Sequence, residues 1–278
     1  MIINIPIPTT HLFPILDQQL IELLQSLSKE DWCKPTIAKK WQVKDIAAHL
    51  LDGNIRTLSL SRDKHQLQPG KPINSYEELV NYLNELNATW VQASKRMSPE
   101  LLTELLASTG QQFCGYIASL DPFGDAIFSV AWAGEAVSKN WFHVAREYTE
   151  KFIHQQQIRD AVGKPGLFSR ELFYPFIDTF MCGLPHTYRN VPAADGTVIC
   201  VHVTTDAGGN WYLTRSNDHW HLAKETDKDI AAAVIIDPDT AWKLFSKGIT
   251  AAEARANVQL TGDITLGTVA LQMVSVMA

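Results

Sequence analysis

No stretch of this sequence comes near the ~20 consecutive apolar residues that a membrane-spanning helix needs, so no membrane partner is expected. Basic residues are not in excess. Lys and Arg number 24 against 30 Asp and Glu, the net charge is -6, and the pI is about 5.8. Such a balance argues against a nucleic-acid partner, whose phosphates want a basic surface. Cysteine is sparse: Cys33, Cys114, Cys182 and Cys200 are scattered, with no C-x-x-C spacing. That argues against a zinc ribbon or a disulfide framework and suits a reducing cytoplasm. The first residues, MIINIPIPTTHLFPILDQQL, lack a basic region and a small-residue cleavage site and carry Pro6, Pro8 and Pro14. No signal peptide is read there, and a cytoplasmic location is expected. Internal repeats and low-complexity segments are absent too.

What is present is an ordinary globular composition: 278 residues, 46% apolar and 19% charged, enough for two domains with their own cores. The first two thirds read as helices. Leu16, Leu20, Leu23, Leu24 and Leu27 recur at helical spacing. After a break at Pro35, QVKDIAAHLLDGNIRTLSLSR gives a second helix, with Ile46, Leu50, Ile55 and Leu58 among its apolar positions. PGKP (residues 69–72) is a turn. Ser75 and Glu78 form a capping box for a third helix, and Ser98 with Pro99 opens a fourth. A long helix is predicted from Lys139 to Val162, stopped by Gly163 and Pro165, and another over Phe168 to Cys182.

The character changes near residue 185. TVICVHVTT, WYLTR, HWHLAKE, AAAVIID and ANVQLTG read as strands, the first ones a meander. A helix with Pro238 near its start and Gly248 at its end precedes the last strand, and a helix capped by Asp263 closes the chain. The expected fold class is therefore α+β: an N-terminal antiparallel helical bundle over residues 1–184, then a small α+β domain over 185–278. Trp211, Trp220 and Trp242 are expected in its core.

One stretch carries chemistry. In REYTEKFIHQQQIRD (146–160), Glu150 and His154 stand at i and i+4, on one face of a helix and within reach of one ion. The second helix offers His49 among Ala47, Ala48, Leu50 and Leu51. A buried histidine needs a hydrogen bond or a metal. Two histidines and a carboxylate would leave a fourth coordination position open, as in catalytic zinc sites. The same pattern also suits a solvated pair and a satisfied core histidine. A rival pair, His143 with Glu147, lies on the same stripe. His143 and His154 are roughly 16 Å apart along the axis and cannot share an ion. Periodicity leaves the choice of pair open.

The motifs resemble a known family. WQVKDIAAHLLDGNIRTLSLSRD is similar to the second helix of the DinB-like superfamily, and of the mycothiol-dependent maleylpyruvate isomerase bundle in particular. Its W-x-V-x-D-x-x-A-H-L pattern places a metal histidine at His49. REYTEKFIHQQQIRDAVG resembles the helix that carries the other two ligands, which fall on Glu150 and His154. The tail from LFSKGITAAEARANVQLTG onward resembles the sterol-carrier-like domain that accompanies this bundle.

The resemblance implies a divalent metal, zinc above all. It also implies a low-molecular-weight thiol (mycothiol or another) that adds to a small electrophilic substrate, for cis-trans isomerisation or S-transfer. A different class of function, carriage of a small apolar ligand by the second domain over a metal-stabilised bundle, is the alternative. If the three ligands converge, their nearest atoms should lie within roughly 4 Å. Arg56 and Arg146, at helical spacing from His49 and Glu150, are candidates to clamp a substrate carboxylate, with surface salt bridges as the plain reading. Asp45 and Asp52 flank His49, and Arg215 sits at a strand end. The oligomeric state is not encoded in any motif.

Overall fold

The computed structural model describes residues 4–65 and 72–276. The turn expected at residues 69–72 lies outside them, apart from Pro72. Contacts divide the chain into two compact units: Thr9–Ile127 with Glu150–Gly166, and the residues through Pro8 with Phe128–Thr149 and Leu167–Val276.

The first unit is the helical one. It holds α1 (Phe13–Gln25), α2 (Val43–Arg56), α3 (Tyr76–Ser94), α4 (Pro99–Ala118) and, from Glu150 on, α5 (Asn140–Val162). Its core takes the leucine stripe of α1 (Leu20, Leu23, Leu24), then Val43, Ile46, Leu50 and Leu51 of α2, Leu102 and Leu106 of α4, and Ile158 of α5. The small Ala47 and Ala48 on α2 let neighbours approach closely, and α2 packs on both α3 and α4. Trp90 of α3 donates its indole N–H to the carbonyl of Ala48 at 2.8 Å.

Caps fix the ends. Ser98 accepts from the Leu101 amide at 3.2 Å, and Ser75 from the Glu78 amide at 3.1 Å. The reciprocal half of the expected box falls one residue early: Glu78 accepts from the amide of Asn74. α2 is also shorter than its pattern suggests. Thr57–Arg62 (TLSLSR) winds as a π-helix. Its alternating Thr57, Ser59 and Ser61 are weak helix formers whose hydroxyls compete for backbone partners, so they tolerate a wider turn.

The second unit is built on a five-stranded sheet of order β3-β2-β1-β4-β5, from β1 (Val198–Val203), β2 (Gly209–Ser216), β3 (His219–Ala223), β4 (Ile230–Ile236) and β5 (Val258–Gly262). β1, β2 and β3 form the expected meander, but β4 lies parallel to β1. The register explains how a short connection manages this. Tyr212 pairs with both Cys200 and Ala223, so β3 ends level with Cys200, and β4 begins opposite Val198. Residues 224–229 need only cross three strand spacings, about 14 Å. At the β2–β3 turn Asn217 and Asp218 both have positive φ (50° and 63°), the conformation that asparagine and aspartate tolerate best after glycine.

α6 (Arg170–Met181) and α7 (Leu184–Tyr188), which a single cut near residue 185 would leave with the bundle or at its edge, belong to this unit. The reason is visible in the bonds. Asp178 of α6 accepts from the buried Trp211 indole at 2.8 Å and pairs with Lys224. Arg170 donates to the carbonyls of Asp206 (2.7 Å) and Gly208 (3.0 Å). Tyr188 of α7 donates to the Leu266 carbonyl at 2.7 Å. α8 (Pro238–Phe245), α9 (Ala251–Ala254) and α10 (Ile264–Ala270) complete the unit. α8 stops at Phe245, before the expected Gly248, because Lys247 takes the left-handed conformation (φ 61°). Trp211, Trp220 and Trp242 are buried. The whole is α+β, helices first and a mixed sheet after.

Candidate metal centre

His49, Glu150 and His154 come together within the helical unit: one ligand atom from each lies within 4.8 Å of the others. This is a looser spread than roughly 4 Å, yet three such groups meet nowhere else among the described residues.

Two helices place them. α2 starts at a capping box in which the Gln42 amide donates to Asp45 at 3.0 Å. Asp45 therefore fixes the helix start rather than the His49 ring. From that start Val43, Ile46 and Leu50 are driven inward, and His49 falls on the margin of the buried face. On α5 Glu150 and His154 follow one another at i and i+4, with His154 Nε2 and Glu150 Oε2 3.4 Å apart.

Each histidine has its ring held. His154 Nδ1 is 2.9 Å from Oε1 of the buried Gln157. An amide oxygen only accepts, so Nδ1 donates to it and Nε2 is turned toward Glu150. The His49 and His154 rings meet edge to face, centroids 4.5 Å apart. Trp41 lies against both, at 4.8 Å from His49 and 6.2 Å from His154. Its loop is tied down: the Trp41 carbonyl accepts from the Thr36 amide (3.1 Å) and hydroxyl (2.8 Å), and the Trp41 amide donates to Ala38 at 2.7 Å.

The electrostatics ask for a cation. His154 Nε2 and a carboxylate oxygen of Glu150 face each other at 3.4 Å, a gap that a proton or a metal ion would bridge. His49 cannot readily supply positive charge. Burial holds its pKa well below the usual imidazole value, and His154 and Arg56 push it further down. His49 Nδ1 is sealed from solvent with no hydrogen-bond partner among the described residues. The donor set of two imidazoles and one carboxylate suits a divalent ion of the zinc type.

The other residues singled out in the sequence sit as follows. Arg56 pairs with Asp52 (Nε to Oδ2, 3.0 Å) and reaches Asn87 at 3.4 Å, in the same unit as the three ligands. Burial raises the Asp52 pKa while Arg56 lowers it. Arg146 meets Glu147 at 2.6 Å and His143 at 2.9 Å, so the rival pair is engaged with an arginine of its own. Arg215 holds the β2–β3 turn through Asp218 and lies over the Trp220 ring. Trp41 and Gln157 were given no role by sequence reasoning. Gln157 had a signal, since it stands three residues after His154 on one helix face. The approach of Trp41 depends on the path of the loop before α2, which spacing does not reveal.

Residues 13–159 match the family described as Mycothiol maleylpyruvate isomerase N-terminal domain, a span that includes all three residues. The chain belongs to that family. Its fold is similar to the crystal structure of the mycothiol-dependent maleylpyruvate isomerase, at 10% identity over 91% of each chain with a TM-score of 0.55. A histidine-to-alanine mutant of that protein matches at 8% identity, the same coverage and the same TM-score. A ubiquinone synthesis protein described as UbiJ-SCP2 matches 36% of this chain and 96% of its own at 20% identity, with a TM-score of 0.26. No sequence among the curated proteins matches. No helix among the described residues is long and apolar enough to cross a membrane.

Proposed function

We propose that His49, Glu150 and His154 hold a divalent metal ion, zinc by preference, and that the protein is an enzyme using a low-molecular-weight thiol. Its reaction is cis-trans isomerisation of a small electrophilic acid or thiol transfer to it. The observation that carries the reading is the 3.4 Å approach of His154 Nε2 to Glu150 Oε2 beside a neutral His49 whose Nδ1 has no hydrogen-bond partner among the described residues. When bound, such an ion would act as a Lewis acid that lowers the pKa of a coordinated thiol toward neutrality.

The chain's own residues supply the rest. Gln157 holds the His154 ring through Nδ1, with Nε2 turned toward Glu150. Trp41 walls one side with an apolar ring, which excludes water and strengthens every charge interaction beside it. Of the two arginine candidates, Arg56 is better placed for the anionic end of a substrate. It shares a unit with the ligands and acts electrostatically on His49. Arg146 is taken up by Glu147 and His143. Mycothiol is one thiol that fits the family; another small thiol would meet the same chemistry.

The test is a cobalt-substituted protein titrated with a panel of small thiols. Thiolate binding should change the visible spectrum, release a proton, and tighten with rising pH until the free thiol itself ionises. Arg56→Ala should weaken use of an anionic electrophile while leaving cobalt binding intact. Absence of both spectral change and proton release across the panel would refute the thiol reading.

A further inference from the structure

Next to the candidate centre lies a second buried polar group with no part in the chemistry above. Lys151, one residue after Glu150, is 8% exposed. Its ammonium donates to Oδ1 of Asn54 at 2.7 Å and lies 4.3 Å over the Phe113 ring. Asn54, five residues after His49 on α2, is fully buried and donates in turn to the Thr109 hydroxyl of α4 at 3.1 Å. On α1, Asp17 feels the Lys151 charge, which offsets part of the rise in its pKa caused by burial. Gly110 of α4 makes the room, since a Cβ there would collide with the Asp17 carboxylate. Four helices of one unit thus converge on a single lysine.

Stability does not account for this group. Taking an ammonium and a carboxylate out of water costs several kcal/mol per ion. Apolar residues of similar volume would fill the same space without that cost. What a hydrogen bond offers, and an apolar contact does not, is a fixed distance. Leucine packing on leucine tolerates a slide of one helix along another. Such a slide by one residue's rise, about 1.5 Å, would stretch the 2.7 Å Lys151–Asn54 bond to between about 3.1 and 4.2 Å, weakening or breaking it where the buried lysine stem cannot follow. The same slide would part Glu150 and His154 on α5 from His49 on α2.

We propose that Lys151 and Asn54 are positioning residues for the metal centre: their buried hydrogen bond, tied to α4 through Thr109, sets the register of α5 on α2 at which Glu150 and His154 meet His49. The inference rests on the metal reading above. Its test is equilibrium binding of cobalt(II) alone, with the visible spectrum recorded and the metal-free melting temperature measured alongside.

Asn54→Leu should weaken cobalt binding by about 10- to 100-fold, the usual effect of disturbing groups that orient ligands, and alter the spectrum. Asn54→Asp, which keeps an oxygen for Lys151, should restore most of the affinity. If Asn54→Leu does not fold, Lys151→Met with Asp17→Asn carries the test, because it leaves neither charge alone, and the same loss is expected. Wild-type cobalt affinity and spectrum in these variants, with only the melting temperature lowered, would overturn the proposal and leave the network a merely structural one. Failure of the unaltered protein to bind cobalt would sink the metal reading itself, and that result is seen in the wild type rather than in a variant.

Discussion

His143 and His154 stand on one stripe of one helix, yet their surroundings give them different work. His154 donates to Gln157 and turns its other nitrogen toward a carboxylate. His143 is buried and accepts from Arg146 through Nδ1, with the Phe128 ring nearby. Burial lowers its pKa, Arg146 lowers it further, and Glu147 opposes both. A histidine with a depressed folded-state pKa binds its proton more readily when unfolded. Its contribution to stability is therefore full above the unfolded value and shrinks as pH falls below it. From about pH 7 to about pH 5 the melting temperature should drop less for His143→Gln than for the wild type, each relative to its own value at neutrality. Equal slopes would show that His143 binds its proton equally well in the folded and unfolded states, contrary to this reading. At this scale the sequence spoke through spacing: i and i+4 put Glu150 and His154 on one face, and apolar neighbours flagged His49. Trp41 opens the quoted motif, but its approach to both histidine rings depends on the path of a loop, and the contrast with the His143–Glu147 pair needed partners that only the folded chain supplies.

Among the elements, the leucine stripe of α1, the serine caps of α3 and α4, and the Gly163 stop after α5 made these helices legible. Three features escaped. The π-helical Thr57–Arg62 has the apolar spacing of an ordinary helix, which does not reveal the wider turn. The short α9 is announced by a capping box at Thr250 and Glu253 but is too brief for a stripe. The parallel pairing of β1 with β4 depends on register across the sheet, which no single strand encodes. α2, which carries His49, packs on α4 in the core of this unit. Leu106, fully buried in that core, should lose about 2–5 kcal/mol on replacement by Ala in chemical denaturation. Because an ion binds only the folded state, excess cobalt should recover part of that loss. Lack of any recovery would mean that the site and the fold of this unit are not linked.

For the molecule as a whole, the α+β order was legible because helical and strand patterns occupy different parts of the chain. The division into units was not. α6 carries the apolar stripe of any bundle helix, but Asp178 and Arg170 tie it to β2 and its preceding loop, contacts that join residues more than thirty positions apart. Family membership rests on residues 13–159, which hold the three candidate ligands. Everything proposed about chemistry depends on whether those ligands bind an ion. The most direct measurement is elemental analysis of untagged protein beside its His154→Ala variant, purified identically and both shown to be folded. The account predicts about one divalent ion per chain in the wild type and almost none in the variant. A folded wild type that carries no divalent ion and takes up neither zinc nor cobalt on addition would contradict it.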